Sequence, residues 1–211
     1  ESLFTVNIKG NRVGTFRSLN CSVILLAAGG STRLGQPKQL LSFRGKSLVQ
    51  HAANQALSLN LPVYVVVGAR NNSVTEQLTD FPVKICTNKN WKDGMGSSIQ
   101  FAMSQLESSI RSTLIMLCDQ PFIDTDYYTN ILRQALQTPD TIIATKYPDN
   151  RQGVPAYFPA QYFQMLKTLA GDQGARQILK QAGENLRCLP CIDAARDIDT
   201  IEQAKQLKKA L

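Results

Sequence analysis

Apolar, largely β-branched runs recur along this chain at residues 22–27, 63–67, 113–117 and 141–145, with helix-patterned segments between them. Parallel strands covered on both faces read as continuous hydrophobic stretches, whereas half-exposed strands alternate. Short strands separated by helices imply right-handed βαβ units and a mostly parallel sheet. Ser47 is placed to cap a helix whose apolar positions Leu48, Ala52, Ala56 and Leu59 recur every three to four residues. Further helices are expected near 73–78, 97–106, 125–136, 172–182 and 200–211. The 211 residues suit one domain starting at residue 21. Residues 1–20 read as a leader or tag-proximal extension, and the weak alternation at 7–15 fits a small hairpin or edge strand.

Charge narrows the class of partner. The chain carries 23 basic and 16 acidic residues, a net +7. Four of the basic residues (Arg33, Lys38, Arg44 and Lys46) fall between Gly29 and Lys46 with no acid among them. No Lys/Arg block is interleaved with aromatics as a strand-binding platform requires, so a local anion site fits better than a nucleic-acid surface. No apolar run approaches the length that crosses a bilayer, and no signal-peptide pattern opens the chain. A cytoplasmic protein with no membrane partner is expected.

The five cysteines, an odd number in apolar surroundings, fit a reducing compartment. Cys188 and Cys191 have C-x-x-C spacing, but no second pair completes a zinc site, and Pro190 puts them in an extended stretch rather than at a helix start. They read as structural. His51 is the sole histidine and lies mid-helix, so a Ser/His/Asp triad has little to work with. Met95, Met103 and Met116 read as core filling.

Three constellations carry chemistry. In the first, Leu26-Ala27-Ala28 ends a buried strand and runs into Gly29-Gly30-Ser31-Thr32-Arg33-Leu34-Gly35-Gln36-Pro37-Lys38. Glycines let the backbone approach a polyphosphate and present N–H donors, hydroxyls add more, and Arg33 and Lys38 supply a fork and a point charge. The spacing is neither G-x-G-x-x-G nor G-x-x-x-x-G-K-[ST]. In the second, Asp119 of Cys118-Asp119-Gln120-Pro121 closes a buried strand, where ligands bind in open parallel sheets. A carboxylate there suits magnesium, which takes one or two carboxylates and completes its shell with phosphates. A helix-capping role remains an alternative. In the third, Arg196-Asp197-Ile198-Asp199-Thr200-Ile201-Glu202, Asp199 or Thr200 reads most simply as a helix N-cap.

The first loop, with Leu40-Leu41 and Gly45-Lys46-Ser47-Leu48 after it, resembles the signature of the molybdenum cofactor cytidylyltransferase-like nucleotidyltransferases. It is less like the guanylyltransferase branch, whose loop reads L-A-G-G and ends Asp-Lys. Asn88-Lys89-Asn90-Trp91-Lys92-Asp93-Gly94-Met95-Gly96-Ser97-Ser98, Gly153-Val154-Pro155 and Gly171-Asp172-Gln173-Gly174-Ala175-Arg176 resemble further elements of that family. Here Val154 stands where the family often has His, and Ile201 where it has Pro.

The resemblance implies a Rossmann-like three-layer α/β/α nucleotidyltransferase fold over residues 21–211. It also implies a Mg2+ ion held by Asp119 and Asp199, and catalytic roles for Arg33, Lys38, Asp119 and Asp199. The nucleotide-binding set is Leu26, Ala27, Ala28, Gly29, Gly30, Ser31, Lys38, Gly94, Ser97 and Ser98, and the acceptor-binding set is Gly153, Pro155, Gly174 and Arg176. The implied reaction moves CMP from CTP to a phosphate acceptor of the molybdopterin kind and releases pyrophosphate. A molybdoenzyme or its chaperone would receive the product. Two alternatives stay open: a transferase of the same fold using GTP or a sugar- or polyol-phosphate, and a nucleotide- or cofactor-binding protein without turnover.

Overall fold

The computed structural model describes residues 16–31, 34–172, 174–198 and 203. Each expected apolar run is a strand: β1 (Cys21–Ala27), β4 (Val63–Val67), β6 (Ser112–Leu117) and β7 (Ile142–Lys146). Between β1 and β4 a small hairpin, β2 (Ser42–Phe43) and β3 (Lys46–Ser47), turns through Arg44-Gly45, whose positive φ angles of 49° and 76° are those of a type I′ turn. Three more strands, β5 (Lys84–Thr87), β8 (Gln152–Pro159) and β9 (Leu186–Pro190), complete a seven-stranded sheet among the described residues. The order is β5-β4-β1-β6-β8-β7-β9, and β8 alone of these runs antiparallel to its neighbours.

Helices cover both faces. One face packs Val23, Leu25 and Ala27 of β1 against α1 (Leu48–Leu57), α2 (Asn71–Glu76) and α4 (Thr125–Gln137). The other packs Ile24, Leu26 and Ala28 against α3 (Met95–Gln105), α5 (Phe163–Lys167) and α6 (Arg176–Gln181). Alternate residues of β1 thus serve opposite cores, which is why all seven are apolar or small and all are buried. The three-layer α/β/α architecture with a mostly parallel sheet is the one expected.

Local chemistry sets the helix starts. Ser47 accepts from the Gln50 N–H while the Gln50 side chain accepts from the Ser47 N–H, a complete capping box for α1. Asp124 caps α4 by accepting from Tyr127 N–H at 2.9 Å. The helix expected over 172–182 is shorter, because Gly171 and Gly174 take positive φ (66° and 54°) and delay α6 to Arg176. α3 opens two residues earlier than expected, at Met95.

Some expectations shift at the chain ends. Phe16–Leu19, assigned to the leader, forms a single 3-10 turn whose Phe16 and Leu19 are buried in the first core. Ser112 Oγ donates to Leu19 O, which ties this turn to β6. The hairpin expected at 7–15 and the helix expected over 200–211 lie outside the described residues, apart from Gln203 in helical conformation. No described helix is long and apolar enough to cross a membrane.

Cys188 packs with one core and Cys191 with the other, as residues three apart on an extended chain must. The pair therefore serves the two faces of the sheet separately, in keeping with its structural reading. His51, half-buried, contacts Pro121 O through Nε2 at 3.2 Å and packs edge-on to Phe43.

Leu114, wholly buried in β6 beside β1, tests the sheet centre. Leu114→Ala is expected to lower unfolding free energy by about 2–5 kcal/mol, read from urea denaturation with an unchanged slope.

Candidate active site

The strand order reverses at β1: the chain builds outward through β4 and β5, then crosses back to lay β6 on the other side. Crevices at such switch points, beyond the carboxyl ends of the strands, are where open α/β sheets bind ligands. A cavity of about 490 Å³ lies there, walled by the residues that end β1 and β6 and by the start of α3.

Of the expected nucleotide-binding residues, Leu26, Ala27, Ala28, Gly29, Gly30, Ser31, Lys38, Gly94 and Ser98 line this cavity, together with Asp119. The wall is closed by Trp91, Lys92, Met95 and Asp172, from the segments facing the glycines. Ser97 does a structural job behind the wall. Its hydroxyl lies 2.9 Å from both Asn90 O and Gly94 O, to which it can donate, and it accepts from Asn88 Nδ2. Arg33 and Asp199 lie outside the described residues.

The centre of the site is an ion pair. Lys38 Nζ donates to Asp119 Oδ2 at 2.5 Å, with side chains only 16% and 15% exposed. The two residues are 81 positions apart, so the pair bridges the loop after β1 and the loop after β6. Two other basic residues of that stretch have other places: Arg44 sits in the hairpin turn over the Phe43 ring, and Lys46 is exposed on β3. Ile198 N–H donates to Asp119 O at 3.1 Å, which ties that segment to the loop after β6. Among the described residues no cluster of three or more His, Cys, Asp or Glu could enclose a metal ion. Asp119 instead offers a hard oxygen donor at the mouth of a cavity, the donor set that suits magnesium when phosphates complete the shell.

Cys118 also lines the cavity, but burial pushes its thiol up to about 12, with the Asp119 charge adding to the effect. It is a packing residue rather than a nucleophile.

The expected acceptor residues stand apart from this wall. Gly153 and Pro155 are buried at the start of β8, where Gly153 lies against the Tyr147 ring. Tyr147 links them back to the site: its hydroxyl donates to Val154 O and accepts from Gln120 Nε2, next to Asp119. Gly174 backs onto Met95, and Arg176 is exposed at the first position of α6. Met95, expected in the core, is 38% exposed and part of the cavity wall. Gln39, Trp91 and Asp172 are wall residues that motif reading did not assign; the glycine-flanked turn around Trp91 was the available signal for one of them.

Gly94 fixes the far wall. Its φ of 92° lies in the left-handed region, and a Cβ there would meet the Gly171 carbonyl at 2.6 Å and the Asp172 carboxylate closer still. Gly96 N–H donates to Gly171 O at 2.9 Å, which stitches the two loops together. Gly94→Ala is expected to part these loops and weaken nucleotide binding by about tenfold or more, measured by isothermal titration on folded protein.

Comparison with known proteins agrees with this geometry. The family described as MobA-like NTP transferase domain matches residues 23–186. A nicotine blue oxidoreductase of Paenarthrobacter nicotinovorans is 32% identical over 195 residues, covering 87% of this chain and 94% of that protein. A probable molybdenum cofactor guanylyltransferase of Bacillus cereus is 28% identical over 120 residues, 57% of this chain and 59% of its own. In fold, the structure of Rv0371c of Mycobacterium tuberculosis in complex with manganese superposes with a TM-score of 0.74 at 22% identity, over 90% of this chain and 99% of that one. The strand order, the glycine loop at the switch point and the matched span lead to one conclusion: this chain belongs to the MobA-like NTP transferase family.

Proposed function

We propose that this protein transfers a nucleotidyl group, CMP from CTP, to a phosphate-bearing acceptor of the molybdopterin class and releases pyrophosphate. The observation that carries the reading is the Lys38–Asp119 pair at the mouth of the glycine loop, which brings a phosphate-binding cation and a metal-binding carboxylate to one point. The Ala27-Ala28-Gly29 form of the loop, rather than the L-A-G-G of the guanylyltransferase branch, supports CTP over GTP. Acceptor binding is assigned to Gly153, Pro155, Gly174 and Arg176, which stand apart from the cavity wall.

Asp119 and Asp199 are the residues that would hold Mg2+. Support comes from Asp119 at the cavity wall and from the sequence neighbour of Asp199, Ile198, whose N–H donates to Asp119 O. When bound, the ion supplies Lewis-acid stabilisation of charge on the α-phosphate oxygens.

The chain's own residues account for the remainder. Backbone amides of the glycine loop and the Ser31 hydroxyl receive the phosphate oxygens, and Arg33 and Lys38 neutralise the leaving pyrophosphate. As the triphosphate arrives, Lys38 exchanges the Asp119 carboxylate for phosphate oxygens, and Asp119 becomes available to a cation. A phosphate oxygen of the acceptor forms the new bond to the α-phosphorus while the α–β bridging bond breaks. A phosphate monoester is already ionised near neutral pH, so positioning and charge neutralisation are the chief demands on the protein, and no histidine base is needed.

The test is pyrophosphate release with each of the four nucleoside triphosphates, with molybdopterin and with simpler phosphate monoesters as acceptors. CTP with a divalent ion is expected to be turned over fastest, and Asp119→Asn to abolish release while thermal unfolding shows a folded protein. Nucleotide binding without pyrophosphate release under every combination would overturn the transferase reading in favour of a binding protein.

A further inference from the structure

Gln39 follows Lys38 in the single 3-10 turn Lys38–Leu40, and it is 1% exposed. Its Nε2 donates to Ala27 O at 3.0 Å and to Gly29 O at 2.7 Å. Only the nitrogen end of a carboxamide can face two carbonyl oxygens, so this end of the side chain is fixed by chemistry. Oε1 then faces the other way, and it has no partner among the described residues. A buried amide oxygen left unsatisfied works against folding, and an apolar side chain of the same shape would avoid that. The residue type therefore calls for an explanation beyond packing.

The two bonds fall on alternate peptides of the glycine loop. In a planar trans peptide the carbonyl of one residue and the N–H of the next point in opposite directions. Tying the Ala27 and Gly29 carbonyls back to Gln39 therefore turns the N–H groups of Ala28 and Gly30 away from it. It also occupies the two oxygens that would otherwise repel an anion at the loop. A second tie, Lys38 N–H donating to Ser31 Oγ at 3.0 Å, closes the loop at its other end, where Ser31 has a φ of 52°. The same turn thus supplies the phosphate-facing cation, Lys38, and the residue that orients the loop, Gln39.

We propose that Gln39 is a positioning residue that sets the polarity of the glycine loop, holding the Ala28 and Gly30 amides outward as donors for a polyphosphate. This rests on the reading of that loop as the triphosphate site. Gln39 reaches the cavity wall but acts through the loop backbone, by its bonds to Ala27 O and Gly29 O. Gln39→Met keeps the shape and removes both donors; Gln39→Glu replaces the donors with a carboxylate that repels the two carbonyls.

The experiment is a titration of 15N-labelled protein with tripolyphosphate and, separately, with CTP and cytidine, followed by amide chemical shifts and by calorimetry. In the unsubstituted protein, tripolyphosphate is expected to move the Ala28 and Gly30 amide protons downfield more than those of Gly29 and Ser31. In Gln39→Met those shifts disappear and the affinity for CTP and tripolyphosphate falls about tenfold or more, while cytidine, which has no phosphates, binds within about twofold of its original affinity. Gln39→Glu shows the same pattern if Gln39→Met fails to fold. The inference is overturned if the unsubstituted protein binds tripolyphosphate with Ala28 and Gly30 unmoved, or if a folded Gln39 variant binds it undiminished. Absence of any tripolyphosphate or CTP binding to the unsubstituted protein overturns the triphosphate reading of the loop, and this inference with it.

Discussion

The ion pair between Lys38 and Asp119 is the interaction around which the site is arranged. It joins the loops after two neighbouring parallel strands, β1 and β6, at the point where the strand order reverses. Neither charge is well placed to be left alone: both side chains are largely buried, and removing one partner of such a pair leaves the other uncompensated. The same property makes the pair a useful starting state. Each member has a better partner among the components of a nucleotidyl transfer, the ammonium a phosphate and the carboxylate a divalent cation.

The surrounding structure is what keeps those two side chains within reach. β1 is buried on both faces, with alternate residues in separate cores, and it cannot shift register by one residue without exchanging the two sets. Gln39 fixes the loop that follows β1. Gln120 does similar work after β6, donating to Ala194 O and Tyr147 Oη, so the segment leading to Asp197 and Ile198 is drawn toward Asp119. Members of one fold family perform different reactions through such grafted loops.

Much of this was legible in the sequence, for physical reasons that can be named. β1, β4, β6 and β7 announced themselves because a strand buried on two faces tolerates few polar residues. β8 did not, since Gly153 and Pro155 are poor strand residues and it runs against its neighbours, outside the βαβ pattern. β5 is short and partly exposed at the sheet edge, so its hydrophobic signal is weak. The glycine loop and Asp119 stood out because their residue types at strand ends suit phosphate and metal chemistry, and the structure brings both to one cavity. Gln39 was not, because a glutamine beside a lysine in a loop gives no pattern; its role exists only in the two carbonyls it meets. Met95 misled for the converse reason: an apolar residue at the start of a helix can wall a cavity as readily as fill a core.

The central claim, that Lys38 and Asp119 are reactive-site partners held together until ligands separate them, is tested most directly by titrating Mn2+ into the protein and following free Mn2+ by electron paramagnetic resonance. The account predicts that Lys38→Met binds Mn2+ about tenfold more tightly than the unsubstituted protein, because Asp119 no longer has its internal cation, and that adding Asp119→Asn to this variant removes the gain. Equal Mn2+ affinity with and without Lys38, or a gain that survives Asp119→Asn, would contradict it.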